Sequence, residues 1–282
     1  MRSRTNIVTR LGIMALTALL CASCSGGATA GTIDGPKAKL DRNTGSIWLP
    51  LDEFSASSDD YLVIDKANNL LIEDCVHDAN PPMIPYTSKA GDGDNRIFGI
   101  WVKGFAERYG YDLVPGLEKI GYKGDASPTT EESIAAMNSC RSSLKSKLLP
   151  TYRIHDSGST EPAAEGSLKS YNQLVESKEW KASWDSWKNC MKSRKINVTP
   201  DGNGAFDAVG YDSPNLESQV KIAVTEVECK DEINLTQRLA DTMANYQNIF
   251  ISENEAALIE QKKKLQAALE TANKTIANHA VS

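Results

Sequence analysis

The stretch from Asn215 to Ser282 contains neither glycine nor proline, and no other feature restricts the fold of this chain as strongly. Glycine and proline are the residues that most often interrupt helices, so a stretch without them favours a long helix. One unbroken helix over this stretch would be about 100 Å long at 1.5 Å per residue. Segment 214–282 is therefore predicted to form one long helix or a helical hairpin, with a hinge near 230–234.

Apolar residues recur along this segment at the spacing of one helical face. The first stripe comprises Leu235, Leu239, Met243, Tyr246 and Phe250, and the second comprises Leu258, Leu265, Leu269, Ala272 and Ile276. We expect both stripes to pack against the body of the same chain. Binding of a partner helix is the alternative.

The remainder of the chain also shows helical periodicity. Apolar spacings of three and four predict helices over 58–78 and 167–195, and Ser127-Pro128 marks the start of another. Glycines and prolines are frequent between 81 and 128, which predicts irregular structure with one short helix near 101–109. The expected fold class is mainly α: a helical body, a Gly/Pro-rich irregular segment, and a long C-terminal helix or helical hairpin.

The N-terminus has the pattern of an export signal. Three arginines precede a short apolar run over 11–20, and no acidic residue occurs before Asp34. The run is too short to cross a bilayer, so it is typical of a signal peptide. It ends at Cys21-Ala22-Ser23-Cys24, which resembles a bacterial lipobox. Cys24 is accordingly the predicted lipidation site, at the extracytoplasmic face of the cell membrane.

This assignment implies a domain organisation and leaves two alternatives. Residues 1–23 are the predicted signal peptide, 24–47 a flexible Gly-rich tether, and 48–282 a helical extracytoplasmic domain. Cys21, where leucine is usual, departs from the lipobox pattern. The alternatives are an ordinary secretory signal, which would leave the protein without an anchor, and a redox pair formed by Cys21 and Cys24.

Four further cysteines, Cys75, Cys140, Cys190 and Cys229, form an even set. In an oxidising compartment such a set favours two disulfides. Three connectivities are open, and pairing in chain order, Cys75 with Cys140 and Cys190 with Cys229, is the least entangling. The alternative is that the four cysteines serve as small buried apolar residues.

The net charge of −6 argues against nucleic acid or anionic lipid headgroups as partners, because phosphate binding needs clustered Lys and Arg. The sequence predicts no catalytic residue, no cofactor and no metal site, because none of its reactive motifs is complete. Ser142 and Lys145 match an S-x-x-K motif without its companion strand. Asp201–Asp207 and Asp92–Asn95 resemble calcium loops but lack required ligands, and ordinary turns explain them.

Three tryptophans, Trp180, Trp184 and Trp187, lie on one predicted helix face. An aromatic stripe of this kind is usually part of a core. The alternative is a platform that stacks on sugars.

The sequence resembles a family of uncharacterised actinobacterial lipoproteins over most of its length after the export signal. The motifs that carry the resemblance are Leu49-Pro-Leu-Asp52, Leu70-Leu71 with Cys75, Asn95-Arg96-Ile-Phe98-Gly99, Ala106 with Arg108-Tyr-Gly-Tyr111, Trp187 with Cys190-Met191, and Val220, Val227 and Cys229-Lys230. The resemblance implies export, lipid anchoring and disulfide use, and it carries no established activity.

These observations predict a lipid-anchored cell-envelope protein that acts as an interaction or scaffolding module. Its expected partners are the membrane, through the N-terminal lipid, and another envelope protein; any small-molecule ligand is unknown. A ligand-binding lipoprotein receptor is the alternative, followed by an envelope hydrolase.

Overall fold

The computed structural model describes residues 35–78, 93, 95–115, 130–154, 159–202 and 204–279. This part of the protein is 65% helical, with seven helices and two short two-stranded sheets. The elements are β1 (Lys39–Asp41), β2 (Ser46–Trp48), a 3-10 helix (Pro50–Phe54), α1 (Ser58–Asp78), α2 (Lys103–Tyr109), α3 (Glu131–Ser143), α4 (Pro162–Val175), α5 (Lys178–Ser193), β3 (Val198–Pro200), β4 (Phe206–Ala208), α6 (Leu216–Glu232) and α7 (Leu235–His279). The predicted mainly α fold with a long C-terminal helix is confirmed.

Helix α7 is the element on which much of the body is assembled. It contains 45 residues and contacts α1, α4, α5, α6 and the 3-10 helix. The helical conformation is interrupted between α6 and α7 at Asn234. Its φ of 51° lies in the left-handed region, which asparagine tolerates better than most residues. The predicted hinge near 230–234 is therefore confirmed.

The two parts of α7 pack in different surroundings. In the first part, Leu235, Leu239 and Met243 are fully buried in the largest core cluster. In the second part, Leu265 and Ala272 pack against α1, while the opposite face is exposed. Both apolar stripes predicted for this helix therefore contribute to the body of the same chain.

Helix α7 changes direction at Asn254, where φ is −128° and ψ is 20°. The Asn254 side-chain amide donates to the carbonyl of Phe250 at 2.9 Å. Two buried glutamines on either side of the bend hold the 3-10 helix: Gln247 Oε1 accepts from Leu51 N at 2.9 Å, and Gln261 Nε2 donates to Phe54 O at 2.9 Å. The 3-10 helix thus spans the bend and connects both parts of α7.

The tryptophan stripe of α5 lies in the core. Trp180, Trp184 and Trp187 are buried and form a series of edge-to-face contacts, with ring centroids 5.6 Å and 5.3 Å apart. Phe98 and Tyr171 continue this packing around Trp180. The core interpretation of the stripe is confirmed, and the sugar-platform alternative is wrong because no ring face is open to solvent.

Two disulfides cross-link the helices in the chain-order pairing that was predicted. Cys75 of α1 is bonded to Cys140 of α3, and Cys190 of α5 to Cys229 of α6. Their Cα–Cα distances, 5.9 Å and 5.7 Å, lie in the usual range for disulfides. The disulfides fix a peripheral helix, α3, to α1, and join the two helices that flank the main core.

Three sequence predictions need correction. The tether over 24–47 extends too far, because β1 and β2 form a hairpin that buries Ala38 and Ile47 in the main core. The helix over 167–195 is two helices, because Ser177 caps the start of α5 by accepting from Trp180 N. Helix α3 is capped by Thr130 rather than by Ser127, which lies outside the described residues.

Residues 1–34 also lie outside the described part, and with them the predicted signal peptide and Cys24. Among the helices that the structure describes, none combines the length and apolarity needed to cross a bilayer.

Candidate functional site

A buried charge cluster lies between α6 and the loop that precedes α2. The Lys230 ammonium donates to Glu226 Oε1 at 2.5 Å, to Phe98 O at 2.8 Å and to Ile100 O at 2.9 Å. Glu226 and Lys230 are one helical turn apart on α6, so their side chains extend from the same face. The faces of two core tryptophans lie within cation–π distance of the ammonium.

The loop accommodates this ammonium because residue 99 is a glycine. Gly99 has φ of 73°, and a Cβ placed there would lie 2.6 Å from Lys230 Nζ. Burial lowers the pKa of Lys230, and the neighbouring Glu226 carboxylate opposes that change. All three ammonium protons have acceptors, whereas a lysine that acts as a nucleophile needs a free lone pair. The cluster therefore serves to fix the loop on α6.

Tyr111 connects the buried cluster to the surface. Its hydroxyl donates to Glu226 Oε2 at 2.6 Å, while Arg96 donates to the carbonyl oxygens of Tyr111 and Asp112 at 2.6 Å each. Burial, followed by the adjacent Glu226 charge, raises the pKa of the Tyr111 hydroxyl. The phenol stays protonated and donating at any physiological pH, so the position of its ring is fixed.

The Tyr111 ring contacts one of four exposed apolar side chains that lie close to it or to the start of α6 along the chain. Its centroid lies 5.8 Å from that of Tyr211 in an edge-to-face contact. Tyr211 is 47% exposed, and Val209 and Leu216, which lie close to it in sequence, are 49% and 53% exposed; Leu113, two residues after Tyr111, is 60% exposed. We refer to Leu113, Val209, Tyr211 and Leu216 together as the Tyr211 surface.

Hydrogen bonds hold the loop that carries most of this surface. Gly210, with φ of 94°, makes a turn in which Ser213 N donates to Gly210 O at 3.1 Å. The Gln219 side chain then donates to Ser213 O at 2.6 Å, and Asn215 caps α6 by accepting from Ser218 N. The apolar side chains are thus presented to solvent by an ordered loop.

Four carboxylates lie close in sequence to the residues of the Tyr211 surface. Asp112, Asp207, Asp212 and Glu217 are exposed, and none of them forms a salt bridge within the described part of the chain. Partial burial and the nearby charges of Asp201 and Glu226 raise the pKa of Asp207, and the Lys230 ammonium opposes that change. Asp112, Asp212 and Glu217 at this end of α6 therefore carry negative charge that no salt bridge among the described residues pairs.

The other end of α6 is different, because its exposed carboxylates are neutralised by cations from other elements. Glu228 pairs with Lys103 of α2 and with Arg194, which follows α5. Arg194 also pairs with Glu232, and Arg42 of the hairpin loop pairs with Asp231 at 2.9 Å.

The remaining sequence motifs do not converge on a reactive centre. Ser142 and Lys145 are exposed on and just after α3. Asp201 closes an ordinary turn between β3 and β4 by accepting from Ala205 N at 3.0 Å. Both aspartates of the 92–95 motif lie outside the described residues. No group of three or more His, Cys, Asp or Glu side chains among the described residues is arranged to hold a metal ion.

Sequence reasoning missed both the buried cluster and the Tyr211 surface. The sequence does contain one signal for the cluster. Glu226 and Lys230 are opposite charges four residues apart, and they stand beside the apolar residues Val227 and Cys229. The Tyr211 surface had no comparable signal, since its members come from segments that are separated in sequence.

Fold and site together define a mainly α protein, cross-linked by two disulfides, with an ordered apolar and acidic surface. Comparisons with protein-family models, with curated proteins and with solved structures find no match for this chain.

Proposed function

We propose that this protein is a lipid-anchored interaction module of the bacterial cell envelope, and that it binds a partner protein through the Tyr211 surface. The proposal combines the anchor predicted at Cys24 with a body whose helices are cross-linked by disulfides. Disulfides of this kind persist in oxidising, extracytoplasmic compartments.

The observation that carries the interaction role is the exposure of apolar side chains on an ordered loop. Grouped exposed apolar side chains mark binding surfaces more often than scattered ones do. A preformed loop loses little conformational entropy on binding, which favours affinity. Tyrosine is enriched among residues that dominate binding energy, and Tyr211 packs on a second, partly buried tyrosine, Tyr111.

Site-specific photocrosslinking in the native envelope tests the interaction role. A photoreactive phenylalanine analogue replaces Tyr211 in one strain and Leu168 in a control strain. Leu168 is also exposed, at 64%, but it lies on α4. We expect a discrete heterologous adduct, identified by mass spectrometry, from position 211 alone. Equal labelling from both positions, or none from 211, would refute the Tyr211 surface as the binding site.

A separate experiment tests the anchor. We expect Cys24→Ser to shift the protein from the membrane fraction to the soluble extracytoplasmic fraction and to remove the diacylglycerol mass from the mature N-terminus. Cys21→Ser is the matched control and should leave both properties unchanged. A membrane-bound Cys24→Ser protein with an unaltered N-terminal mass would contradict the anchor.

A further inference from the structure

We infer that the partner segment recognised by the Tyr211 surface combines apolar side chains with basic ones. This inference rests on the proposed function, because it specifies the chemistry of the partner that the function requires. Its basis is the arrangement of charge around the exposed apolar residues.

Three of the four apolar residues of the surface are adjacent in sequence to an exposed carboxylate. Asp112 precedes Leu113, Asp212 follows Tyr211, and Glu217 follows Leu216. Asp207 lies two residues before Val209. A ligand that covers the apolar side chains therefore comes close to the carboxylates as well.

Asp112, Asp212 and Glu217 form no salt bridge within the described residues, whereas the charge of Asp207 is partly offset by the buried Lys230 ammonium. The fold supplies cations to the carboxylates at the other end of the same helix. Glu228, Asp231 and Glu232 at the C-terminal end of α6 are all in salt bridges. At the N-terminal end, Glu217 has no salt bridge within the described residues, although Lys221 is one turn away on α6. Unpaired carboxylates beside apolar groups are complementary to Lys or Arg side chains beside apolar groups.

The same charge arrangement disfavours three other occupants. Nucleic acid and anionic lipid headgroups would bring phosphates towards unpaired carboxylates. A second copy of this chain, paired symmetrically through the same surface, would bring the four carboxylates towards their own equivalents. A basic segment of another protein would instead be attracted by the carboxylates that repel these three ligands.

The test measures binding of two labelled peptides to the full-length chain in phosphatidylcholine nanodiscs, with empty nanodiscs as the blank. One peptide alternates leucine with lysine, and the other alternates leucine with glutamate. Fluorescence anisotropy at 50 mM NaCl should show binding of the lysine peptide at least tenfold tighter than that of the glutamate peptide. Raising NaCl to 500 mM should weaken binding of the lysine peptide several-fold, because exposed charges are screened. Hydrogen exchange should place the protection around 207–217.

Charge reversal supplies the decisive variant. Asp212→Lys with Glu217→Lys should reverse the preference in favour of the glutamate peptide, whereas Tyr211→Ser with Leu216→Ser should abolish binding of both. The control is Glu255→Lys, an exposed position on α7, which should change neither affinity. All variants are surface changes, and matching thermal unfolding curves establish that they fold.

The inference is overturned if both peptides bind equally, if charge reversal has no effect, or if the chain self-associates through this surface instead. Photocrosslinking at position 211 distinguishes the basic character of the partner from the interaction role itself. A heterologous adduct, together with a charge reversal that has no effect, would refute the basic character of the partner and leave the proposed interaction role standing. Failure of both experiments would remove both.

Discussion

Gly99 leaves the space that the buried Lys230 ammonium occupies. A methyl group there would face Lys230 Nζ at 2.6 Å and Glu226 Oε1 at 3.2 Å, and the positive φ would add backbone strain. We therefore expect Gly99→Ala to lower the free energy of unfolding by about 2–4 kcal/mol, measured by urea denaturation with circular dichroism.

Gly104 provides a matched control for that measurement. It lies within α2, and a Cβ placed there would meet no atom within 4 Å. Gly104→Ala should raise the free energy of unfolding by up to about 1 kcal/mol, because alanine has the higher helix propensity. Equal destabilisation by both substitutions would show that Gly99 has no special relation to Lys230.

Lys230 and Glu226 should be coupled in their effects on the free energy of unfolding. Lys230→Met leaves the Glu226 carboxylate buried with only the Tyr111 hydroxyl as a donor, so we expect a loss of about 3–5 kcal/mol in unfolding free energy. The double variant Lys230→Met/Glu226→Gln removes that buried charge and keeps an acceptor for Tyr111. It should be more stable than Lys230→Met; a double-mutant cycle with additive losses would contradict the coupling.

At the scale of elements, the last turn of α7 has a pH-dependent attachment to α1. His279 Nε2 lies 2.7 Å from Asp74 Oδ2, and this hydrogen bond is the main cause of the raised pKa of His279. A raised folded-state pKa gives stability that is fully present below pH 6.5 and is lost as the pH rises through the folded-state value.

His279→Gln should therefore lower the Tm at pH 5.5 and have little effect at pH 8.5, as followed by scanning calorimetry. Asp74→Asn is the control, because it removes the same pair from the other side and should produce the same pH dependence. A Tm difference that does not vary with pH would contradict this attachment.

Helix α3 depends on its disulfide more than α5 or α6 does, because much of its surface is exposed. The Cys75–Cys140 bond closes a sequence separation of 65 residues, so its loss should cost about 4 kcal/mol. We expect Cys75→Ala/Cys140→Ala to accelerate amide hydrogen exchange within α3 while α6 stays protected. In the matched variant Cys190→Ala/Cys229→Ala, α3 should keep its protection; the reverse pattern would contradict a local role.

The elements themselves were largely predictable because their signals are local. The absence of glycine and proline after Pro214 predicts α7, and its apolar spacing predicts which face is buried. The division of 167–195 into two helices was missed, although Ser177 is a favourable N-cap, because apolar spacing continues across the junction. A cap without a glycine or proline nearby is a weak signal by itself.

At the scale of the whole molecule, the candidate site could not be predicted because it depends on distant contacts. Lys230 meets the carbonyl of Phe98 across 132 positions of sequence, and Tyr111 meets Glu226 across 115. Periodicity cannot reveal such pairs. The chain-order disulfides were predicted, since an even number of cysteines and an expected oxidising compartment leave few arrangements.

The bend of α7 also determines how the molecule tolerates insertions and deletions. Gln247 and Gln261 lie about two turns before and after Asn254, and both reach the same 3-10 helix. Each residue of a helix advances its azimuth by about 100°, so deleting a single residue at the bend would rotate everything beyond it by that angle. Gln261 would then turn away from Phe54, and Leu265 would turn towards water. The hydrogen bonds of Gln247 and Gln261 to the 3-10 helix thus require a fixed number of residues between the two parts of α7.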